Sequence, residues 1–564
     1  MSKCLLIGIV LLMRGFGQAE AQWFDEHPQP SQWAEGRDQL KRDLLASLTN
    51  KKAAGLNPDE TDEDQFRLWQ WLENWSFLNE ATDAEAFREL GKNTELRRVF
   101  LENLDPKDNR QDAIRILIRL QKEAPVEVRE LPALAVAVAL VFDQPFPGDW
   151  PHGQTGSAMI PKEEVDVVIR MKEVAEQQRK GAYLTNLRDY QVSELKFVID
   201  HPLARSELDW ARKTIHNNLT NFKGIYSGIR YDFPRLKPPP QMNWPGSTYT
   251  LAQIKSKGGI CVDQAYFTTM VGKSKGVPTL FFTGIGDVAG HAWVGYMDQP
   301  GNWRTDCGGG VNEVVGRAQD PQTWESISDS EFEFFSKRNE RSIGYHRAQF
   351  LTDLAAAFSD ERIDDWASLA LKAKLDYLPA WRLLGMRMAF DKIEHEKQVN
   401  FWKEYVNRFS KYPEIESEGL EKLIELAKIK GDVQIEESWR KQLVKRNRGN
   451  RFDISISAAY ENLVAKCESG DWDGAESLYR RNLVEFKKDM GLPVLDGLVR
   501  PFVKFTIKNG RLDLAKRAIQ SARRAFKEAL GTPAKGSAQY NLMLMLNENF
   551  TEMDELLNKK SSIH

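Results

Sequence analysis

The spacing of hydrophobic residues divides the chain into two helical regions separated by a short stretch of strands. Before about residue 200, hydrophobic residues recur mostly at the three- and four-residue spacing of amphipathic helices, and the aromatic residues of 66–75 are typical of core packing. From about residue 345 onwards the pattern is again helical. Between these regions, residues 279–283, 291–297 and 303–306 are short β-favouring runs. The pattern predicts the α+β class.

The last two of these runs are predicted to form a hairpin, because residues 298–302 are turn formers. A turn centred near Gln299 or Pro300 pairs residues whose numbers sum to roughly 598–600, which places Asp306 opposite residues 292–294. Diagonal neighbours across a sheet are about 7–8 Å apart. We therefore expect the Asp306 carboxylate to lie close to the His291 imidazole.

A helix is predicted directly after Gly258-Gly259. No proline intervenes between Cys261 and Lys275, and residues 276–278, Gly-Val-Pro, are typical of a helix end. Cys261 then lies in the first turn, where free N–H groups and the helix dipole lower a thiol pKa and can bind an oxyanion.

A second, amphipathic helix is predicted upstream of the glycine pair, with Ser206 as its N-cap. Its apolar face is formed by residues at three- and four-residue spacing: Leu208, Ala211, Ile215, Leu219 and Phe222.

Cys261, His291 and Asp306 together supply the three groups of a thiol catalyst. A thiolate attacks, an imidazole moves the proton, and a carboxylate orients the imidazole. Singly, each residue has an ordinary explanation as a buried cysteine, a core or surface histidine, or a turn-forming aspartate. Their order and local settings favour the catalytic interpretation.

These residues resemble the transglutaminase-like superfamily, which has a papain-type fold. The resemblance covers about residues 200–320 and is carried by four motifs: Gly-Gly-Ile-Cys-Val-Asp-Gln-Ala (258–265), Gly-Val-Pro-Thr (276–279), Gly-His-Ala-Trp-Val (290–294) and Trp-Arg-Thr-Asp (303–306). It implies a Cys-bearing helix packed on an antiparallel sheet. It also implies Cys261 as nucleophile, His291 as general base and acid, and Asp306 as the residue that orients His291.

The sequence leaves open which residue would be the second oxyanion donor. Papain-like enzymes use a Gln shortly before the Cys, and animal transglutaminases use a Trp further upstream, so Gln253 and Trp244 are the candidates. Either residue has an ordinary loop or packing role as the alternative. Gly259 and Trp293 are further candidates for lining the site.

The resemblance implies a cysteine-dependent amide or peptide hydrolase or acyltransferase that acts on a peptide or protein substrate without a cofactor. The alternative is a non-catalytic scaffold that binds a protein through the transglutaminase-like core and the helical flank. No calcium-loop pattern is present, which disfavours a calcium-dependent cross-linker, and no Cys/His spacing suggests a metal site.

Composition and charge narrow the class of protein further. A chain of 564 residues with a formal net charge of −3 has no basic character that would suggest a nucleic-acid partner. The expected division is a signal peptide (1–21), a mostly helical region (22–200), a transglutaminase-like domain (201–335) and a helical repeat domain (336–564).

The N-terminus predicts export to the periplasm or the exterior. Lys3 precedes an apolar run over residues 4–13, and residues 19–21, Ala-Glu-Ala, match a signal-peptidase site with cleavage after Ala21. An uncleaved anchor is the alternative. No stable membrane span is expected after cleavage.

Three cysteines remain in the mature chain: Cys261, Cys307 and Cys467. An odd number in an exported protein often leaves one reactive thiol, and a Cys307–Cys467 bridge would leave Cys261 free. Strand alternation points Cys307 away from the Asp306 face, so we interpret Cys307 as structural.

The C-terminal region resembles degenerate tetratricopeptide-type helix pairs. Glycines at breaks in the helical pattern, Gly431, Gly470 and Gly510, are spaced by 39 and 40 residues. Stacked helix pairs often bind a protein partner. A plain helical cap on the catalytic domain is the alternative.

Overall fold

The computed structural model describes residues 23–78, 81–237, 241–285, 290–309, 315–358, 363–391, 393–447 and 451–561. The predicted signal peptide lies outside the described residues. Helices predominate, and five strands form one antiparallel sheet, in agreement with the predicted α+β class. None of the described helices is both long enough and apolar enough to cross a membrane.

The N-terminal region is helical, as the spacing of its hydrophobic residues predicts. Its helices are α1 (Trp33–Ala53), α2 (Glu60–Glu73), α3 (Ala84–Lys92), α4 (Thr94–Asn103), α5 (Arg110–Glu123), α6 (Pro125–Glu130), α7 (Pro132–Val141), α8 (Val167–Arg179) and α9 (Val192–Ile199). Helix α7 is apolar on all sides and is therefore the buried centre of this region.

The helices that carry the candidate site are shorter. They are α10 (Arg205–Thr214), α11 (Lys223–Ser227), α12 (Leu251–Lys257) and α13 (Cys261–Ser274). The predicted helix through Phe222 was wrong in its length and its cap, since α10 begins at Arg205 after Ala204 and ends at Thr214. The Asn218 side chain accepts hydrogen bonds from the N–H groups of Thr220 and Asn221, which starts a separate turn.

The strands are β1 (Thr279–Ile285), β2 (Gly290–Gln299), β3 (Asn302–Cys307), β4 (Val315–Gln319) and β5 (Ser326–Ser328), in the spatial order β3-β2-β1-β4-β5. The predicted β2–β3 hairpin is confirmed, with Met297 opposite Trp303 and Tyr296 opposite Arg304. Beyond these pairs the register shifts between Val294 and Tyr296. This irregularity decides which groups of β3 reach the site.

Both faces of the sheet are covered by other parts of the chain. Ala292, Val294 and Tyr296 of β2 belong to the core that contains α13. Trp293 lies on the other face, in a cluster with Phe282 of β1. Helix α13 therefore packs on one face of the sheet, and the sheet alternation separates neighbouring β2 side chains.

The C-terminal region consists of helices, as predicted. They are α14 (Asp329–Lys337), α15 (Ile343–Ala357), α16 (Ile363–Ala373), α17 (Leu378–Phe390), α18 (His395–Arg408), α19 (Pro413–Lys430), α20 (Val433–Asn447), α21 (Phe452–Glu468), α22 (Trp472–Glu485), α23 (Leu492–Val494), α24 (Arg500–Lys508), α25 (Leu512–Leu530) and α26 (Ala538–Ser561). A π-helical segment, Leu495–Val499, joins α23 to α24. Short 3₁₀ turns elsewhere are Pro30–Gln32, Asn74–Phe77, Ala81–Asp83, Ser157–Met159, Leu187–Asp189, Leu219–Asn221, Phe233–Leu236 and Lys487–Asp489.

The three predicted break points are helix ends of one kind. Gly431, Gly470 and Gly510 have φ of 75°, 84° and 71°, the left-handed conformation that favours glycine. After each glycine, the next N–H donates to a carbonyl five residues back, with N–O distances of 3.0, 2.9 and 2.9 Å for Asp432, Asp471 and Arg511. The regular spacing therefore reflects three hairpins closed in the same way.

The predicted aromatic stripe of α2 is confirmed as packing. Phe66 and Trp71 are fully buried. The Phe66 ring lies 5.9 Å from that of Phe350 in α15. The N-terminal helices therefore share a core with the first helices of the C-terminal region.

Candidate functional site

Cys261 is the first residue of α13, as the glycine pair before it predicts. Gly258 has φ of 85°, and a Cβ at this position would lie 2.3 Å from the Arg230 carbonyl oxygen. This close approach allows Gly259 N–H to donate to the Arg230 carbonyl at 3.0 Å, and Tyr231 forms a parallel bridge with Gly259. The chain before Cys261 is thus paired with residues 230–232.

A buried carboxylate fixes the turn that carries Cys261. Asp263 is 1% exposed and accepts hydrogen bonds from Arg235 Nη1 at 2.6 Å, Tyr249 Oη at 2.8 Å and Ile260 N–H at 2.8 Å. The Arg235 side chain is itself buried. Because the carboxylate binds the backbone of the residue before Cys261, it holds the start of α13 in one conformation.

The Cys261 thiol is half-buried between backbone and tyrosine side chains. Burial raises its pKa, and hydrogen bonds from the backbone of Ala292 and Val262 oppose that rise. The Tyr231 hydroxyl hydrogen-bonds the thiol. The Tyr226 hydroxyl donates to the Ala292 carbonyl at 2.8 Å, so it fixes the strand segment beside the sulfur.

His291 lies one residue before the strand position that contacts the thiol. Its Nε2 is 3.1 Å from the Gly308 carbonyl oxygen. A carbonyl can only accept, so Nε2 carries the proton and Nδ1 has a free lone pair in the neutral ring. The ring stacks on Trp293 at 5.9 Å. These contacts fix the tautomer and the orientation of the imidazole.

The expected Asp306–His291 contact was wrong. The Asp306 carboxylate lies 2.6 Å from Lys223 Nζ and 3.7 Å from Arg304 Nη2, and it is about half exposed. The ion pair with Lys223 lowers the Asp306 pKa against the opposing effect of burial. The register shift after Val294 places Cys307 opposite Val294, so the chain reaches His291 only at Gly308. A backbone carbonyl takes the place expected for the carboxylate.

Replacing Asp306 by asparagine should therefore change the alkylation rate of Cys261 by less than about threefold. In a triad whose carboxylate holds the histidine, the same change costs about four orders of magnitude in catalysis. The measurement is the iodoacetamide labelling rate of Cys261 at pH 6 to 9. Lys223→Gln, which removes the other half of the ion pair, should behave like Asp306→Asn. A hundredfold loss confined to Asp306→Asn would contradict the geometry.

Of the expected oxyanion candidates, Trp244 and Gly259 donate their N–H groups to other acceptors. The Trp244 indole is buried and donates its Nε1–H to the Thr248 carbonyl at 2.8 Å. The Gln253 Oε1 is buried without a hydrogen-bond partner among the described residues. The Gly259 N–H donates to the Arg230 carbonyl. The Trp293 ring stacks on His291.

The burial of the other two cysteines indicates a structural role. Cys307 and Cys467 are buried, and burial raises their pKa values to about 12 and about 11. All three described cysteines are free, so the Cys307–Cys467 bridge considered from the sequence is not formed. Within the described ranges, no group of three or more His, Cys, Asp or Glu side chains is arranged to hold a metal ion.

Four groups at the site have no local sequence signal that identifies them. Tyr226, Tyr231 and Arg235 come from segments upstream of the Cys261 turn, and Gly308 acts through its carbonyl. Asp263 does have a local signal in the sequence, because an acidic residue in the first turn of a predicted helix is expected to stabilise the helix start. Its partners could not be read from spacing.

No family model, no curated protein and no solved structure matches this chain. The interpretation of the site therefore depends on its geometry and chemistry.

Proposed function

We propose that this protein is an exported thiol enzyme of the transglutaminase-like type that acts on amide or peptide bonds. The supporting observation is the position of Cys261 at the start of α13, with its sulfur hydrogen-bonded to the backbone of Ala292, the residue after His291. Export is proposed from residues 3–21 alone.

In the proposed reaction, the free Nδ1 of His291 takes the thiol proton as the sulfur attacks the carbonyl carbon of the substrate. The C–N bond breaks, His291 returns the proton to the leaving amine or ammonia, and a thioester remains on Cys261. Water or a second amine then attacks the thioester, giving an acid or a new amide and restoring the thiol. The Gly308 carbonyl stabilises the imidazolium that forms during each transfer.

The oxyanion of the tetrahedral intermediate is proposed to lie at the first turn of α13. The first N–H groups of a helix have no partner within the helix, and those of Cys261 and Val262 already point at the sulfur, where the oxyanion would form. Tyr231 is proposed as the side-chain donor, because its hydroxyl contacts the thiol and is only half-buried. It replaces the expected roles of Gln253 and Trp244.

A protein partner is proposed on the helix pairs of α19–α25. Each pair is closed at a left-handed glycine, so the pairs form a repeating series of similar hairpins. Such series present long continuous surfaces. This surface would hold a large substrate or a separate partner.

The second candidate function is a non-catalytic scaffold. Two observations favour it: burial raises the Cys261 pKa, and the Asp306 carboxylate is bound to Lys223 rather than to His291. A resting thiol of this kind has little thiolate at neutral pH.

Iodoacetamide labelling, mapped by mass spectrometry between pH 5 and 10, separates the two functions. For the enzyme, Cys261 should label at pH 6 at least tenfold faster than Cys307 and Cys467, and His291→Ala should remove this advantage. Proton transfer to Nδ1 gives a thiolate–imidazolium pair that reacts below the ordinary thiol pKa of about 8.5. His216→Ala is the matched control, because His216 is exposed and remote in sequence from the thiol.

For the scaffold, Cys261 should label with a midpoint above pH 9 and His291→Ala should have no effect. That result would end the enzyme proposal. A positive result would justify trapping the thioester: incubation with peptide amides followed by hydroxylamine should give hydroxamates from wild type and none from Cys261→Ala.

A further inference from the structure

Arg170 is a buried cation without a carboxylate partner. It lies in α8, is 7% exposed, and forms no ion pair within the part of the chain that the structure describes. Its Nη1 lies 3.1 Å from Nδ1 and 2.9 Å from Nε2 of His201, a neutral ring at this position. Burial of an unpaired guanidinium costs free energy, so proteins usually supply an anion.

The guanidinium lines a small, partly open cavity of about 20 Å³. A volume of this size holds about one water-sized particle. Besides Gln177 and Glu173, the polar residues that line it are donors or cations: Arg170, Tyr183, His201, Arg205, Arg212 and Lys273. Glu173 is the one carboxylate on its wall among the described residues.

The neighbouring charges are already neutralised. Lys273 is paired with Asp200, Arg212 Nη2 lies 2.5 Å from Asp209, and Arg205 Nη1 lies 3.1 Å from Glu173. Arg170 is then the lining cation without a carboxylate at ion-pair distance among the described residues, and Glu173 and Glu163 act on its charge only from longer range. Burial and the Arg170 charge hold the His201 pKa well below its ordinary value, so His201 adds no charge but can donate one N–H.

Tyr183 offers a second donor. Its hydroxyl makes no hydrogen bond to any described residue, and its electrostatic contacts include Arg212 and Arg170. The ring lies over Gly276, where a Cβ would meet Tyr183 Cγ at 2.6 Å. This packing restricts the ring, and Tyr183 is one of the residues that line the cavity.

We propose that this cavity is a binding site for one compact monovalent anion, either a halide ion or the carboxylate end of a larger ligand. Arg170 provides the charge, and Tyr183 and His201 provide further donors. The site is separate from Cys261, because Lys273 at the opposite end of α13 lines it. An anion here would connect α8, α10 and the last turn of α13.

The test is local hydrogen exchange of the full chain in chloride, bromide or formate, with gluconate as the reference at equal ionic strength. Exchange of the α8 and α10 amides, residues 167–179 and 205–214, should slow by about the factor 1 + [anion]/Kd, and so at least tenfold at a large excess of the bound anion. A response to both halides identifies a free ion, and a response to formate alone identifies a carboxylate end. Either supports the site.

Arg170→Gln should abolish the anion-dependent slowing of exchange, and Lys172→Gln should retain it. Lys172 lies in the same helix, is exposed, and carries the same charge. Tyr183→Phe should weaken the anion effect without abolishing it. No anion-dependent slowing in wild type relative to gluconate, or equal slowing in Arg170→Gln, would overturn the proposal.

A crystallographic measurement covers the case in which Arg170→Gln does not fold. Bromide soaked into wild-type crystals should give an anomalous peak within about 3.5 Å of the Arg170 guanidinium. Peaks confined to the outer surface would also overturn the proposal.

Discussion

Asp263→Ala should destabilise the region around Cys261 by about 3–5 kcal/mol, the usual cost of removing one partner from a buried ion pair. The change leaves the Arg235 guanidinium buried without its carboxylate. It also removes the acceptor for Tyr249 Oη and for the N–H of Ile260. Each unpaired buried donor adds a desolvation cost.

The same substitution should remove fast labelling of Cys261. The Ile260 N–H bond fixes the residue before the nucleophile, so its loss frees the start of α13 to fray. Hydrogen exchange of residues 258–274 and the iodoacetamide rate at pH 6 measure the two effects together. Since the chain has several cores, local exchange is a better measure than one global transition.

Asp232→Ala is the matched control. Asp232 lies in the segment that pairs with Gly259, is half-buried, and forms no ion pair among the described residues. Asp232→Ala should lower the free energy of unfolding by less than about 1 kcal/mol. The loss of stability in Asp263→Asn should lie between those of Asp263→Ala and Asp232→Ala, because an amide oxygen can still accept from Ile260 N–H. An Asp263→Ala variant indistinguishable from Asp232→Ala would show that the carboxylate does not hold the turn.

The elements of the site could be predicted from the sequence because their signals are local. The glycine pair and the Gly-Val-Pro stop define α13 at Cys261 and near Lys275, and turn residues define the β2–β3 hairpin. The C-terminal break points were also local, because a left-handed glycine closes each hairpin. Each of these features is decided by a few adjacent residues.

The side-chain constellation could not be predicted, because it depends on contacts distant in sequence. The expected register holds at Tyr296–Arg304 and Met297–Trp303. Beyond them, the irregularity next to Val294 turns Asp306 towards Lys223 and brings the Gly308 carbonyl to His291. No hydrophobic pattern encodes such a shift. The Asp263–Arg235 pair joins residues 28 positions apart, and only the fold brings them together.

A second large effect is expected far from Cys261, at the buried carboxyl group of Asp143. This residue is 5% exposed, and neither carboxylate oxygen has a side-chain hydrogen-bond partner among the described residues, while the backbone N–H groups of Asn109 and Asp143 oppose the rise of its pKa. Burial raises its pKa to about 7, and the neighbouring Asp108 carboxylate adds to the rise. Burial likewise raises the Asp108 pKa to about 6.

A raised pKa means that the folded state binds the proton more tightly than the unfolded chain does. The neutral Asp143 therefore stabilises the fold fully below the unfolded pKa near 3.8, and this contribution is lost as the pH rises through about 7. The difference between 3.8 and about 7 sets an upper bound of about 4 kcal/mol. We expect the free energy of unfolding to fall by about 1–3 kcal/mol between pH 4 and pH 8.

Asp143→Asn should recover this loss, since the amide has the shape of the carboxyl group and cannot ionise. The thermal midpoint of the variant should exceed that of wild type at pH 8 by several degrees and match it near pH 4.5. Asp112→Asn is the control, because Asp112 is a half-exposed carboxylate in the same cluster, paired with Arg115. Its difference from wild type should stay small across the same range. A constant difference between Asp143→Asn and wild type at all pH values would place the effect in packing rather than in ionisation, and would contradict the raised pKa.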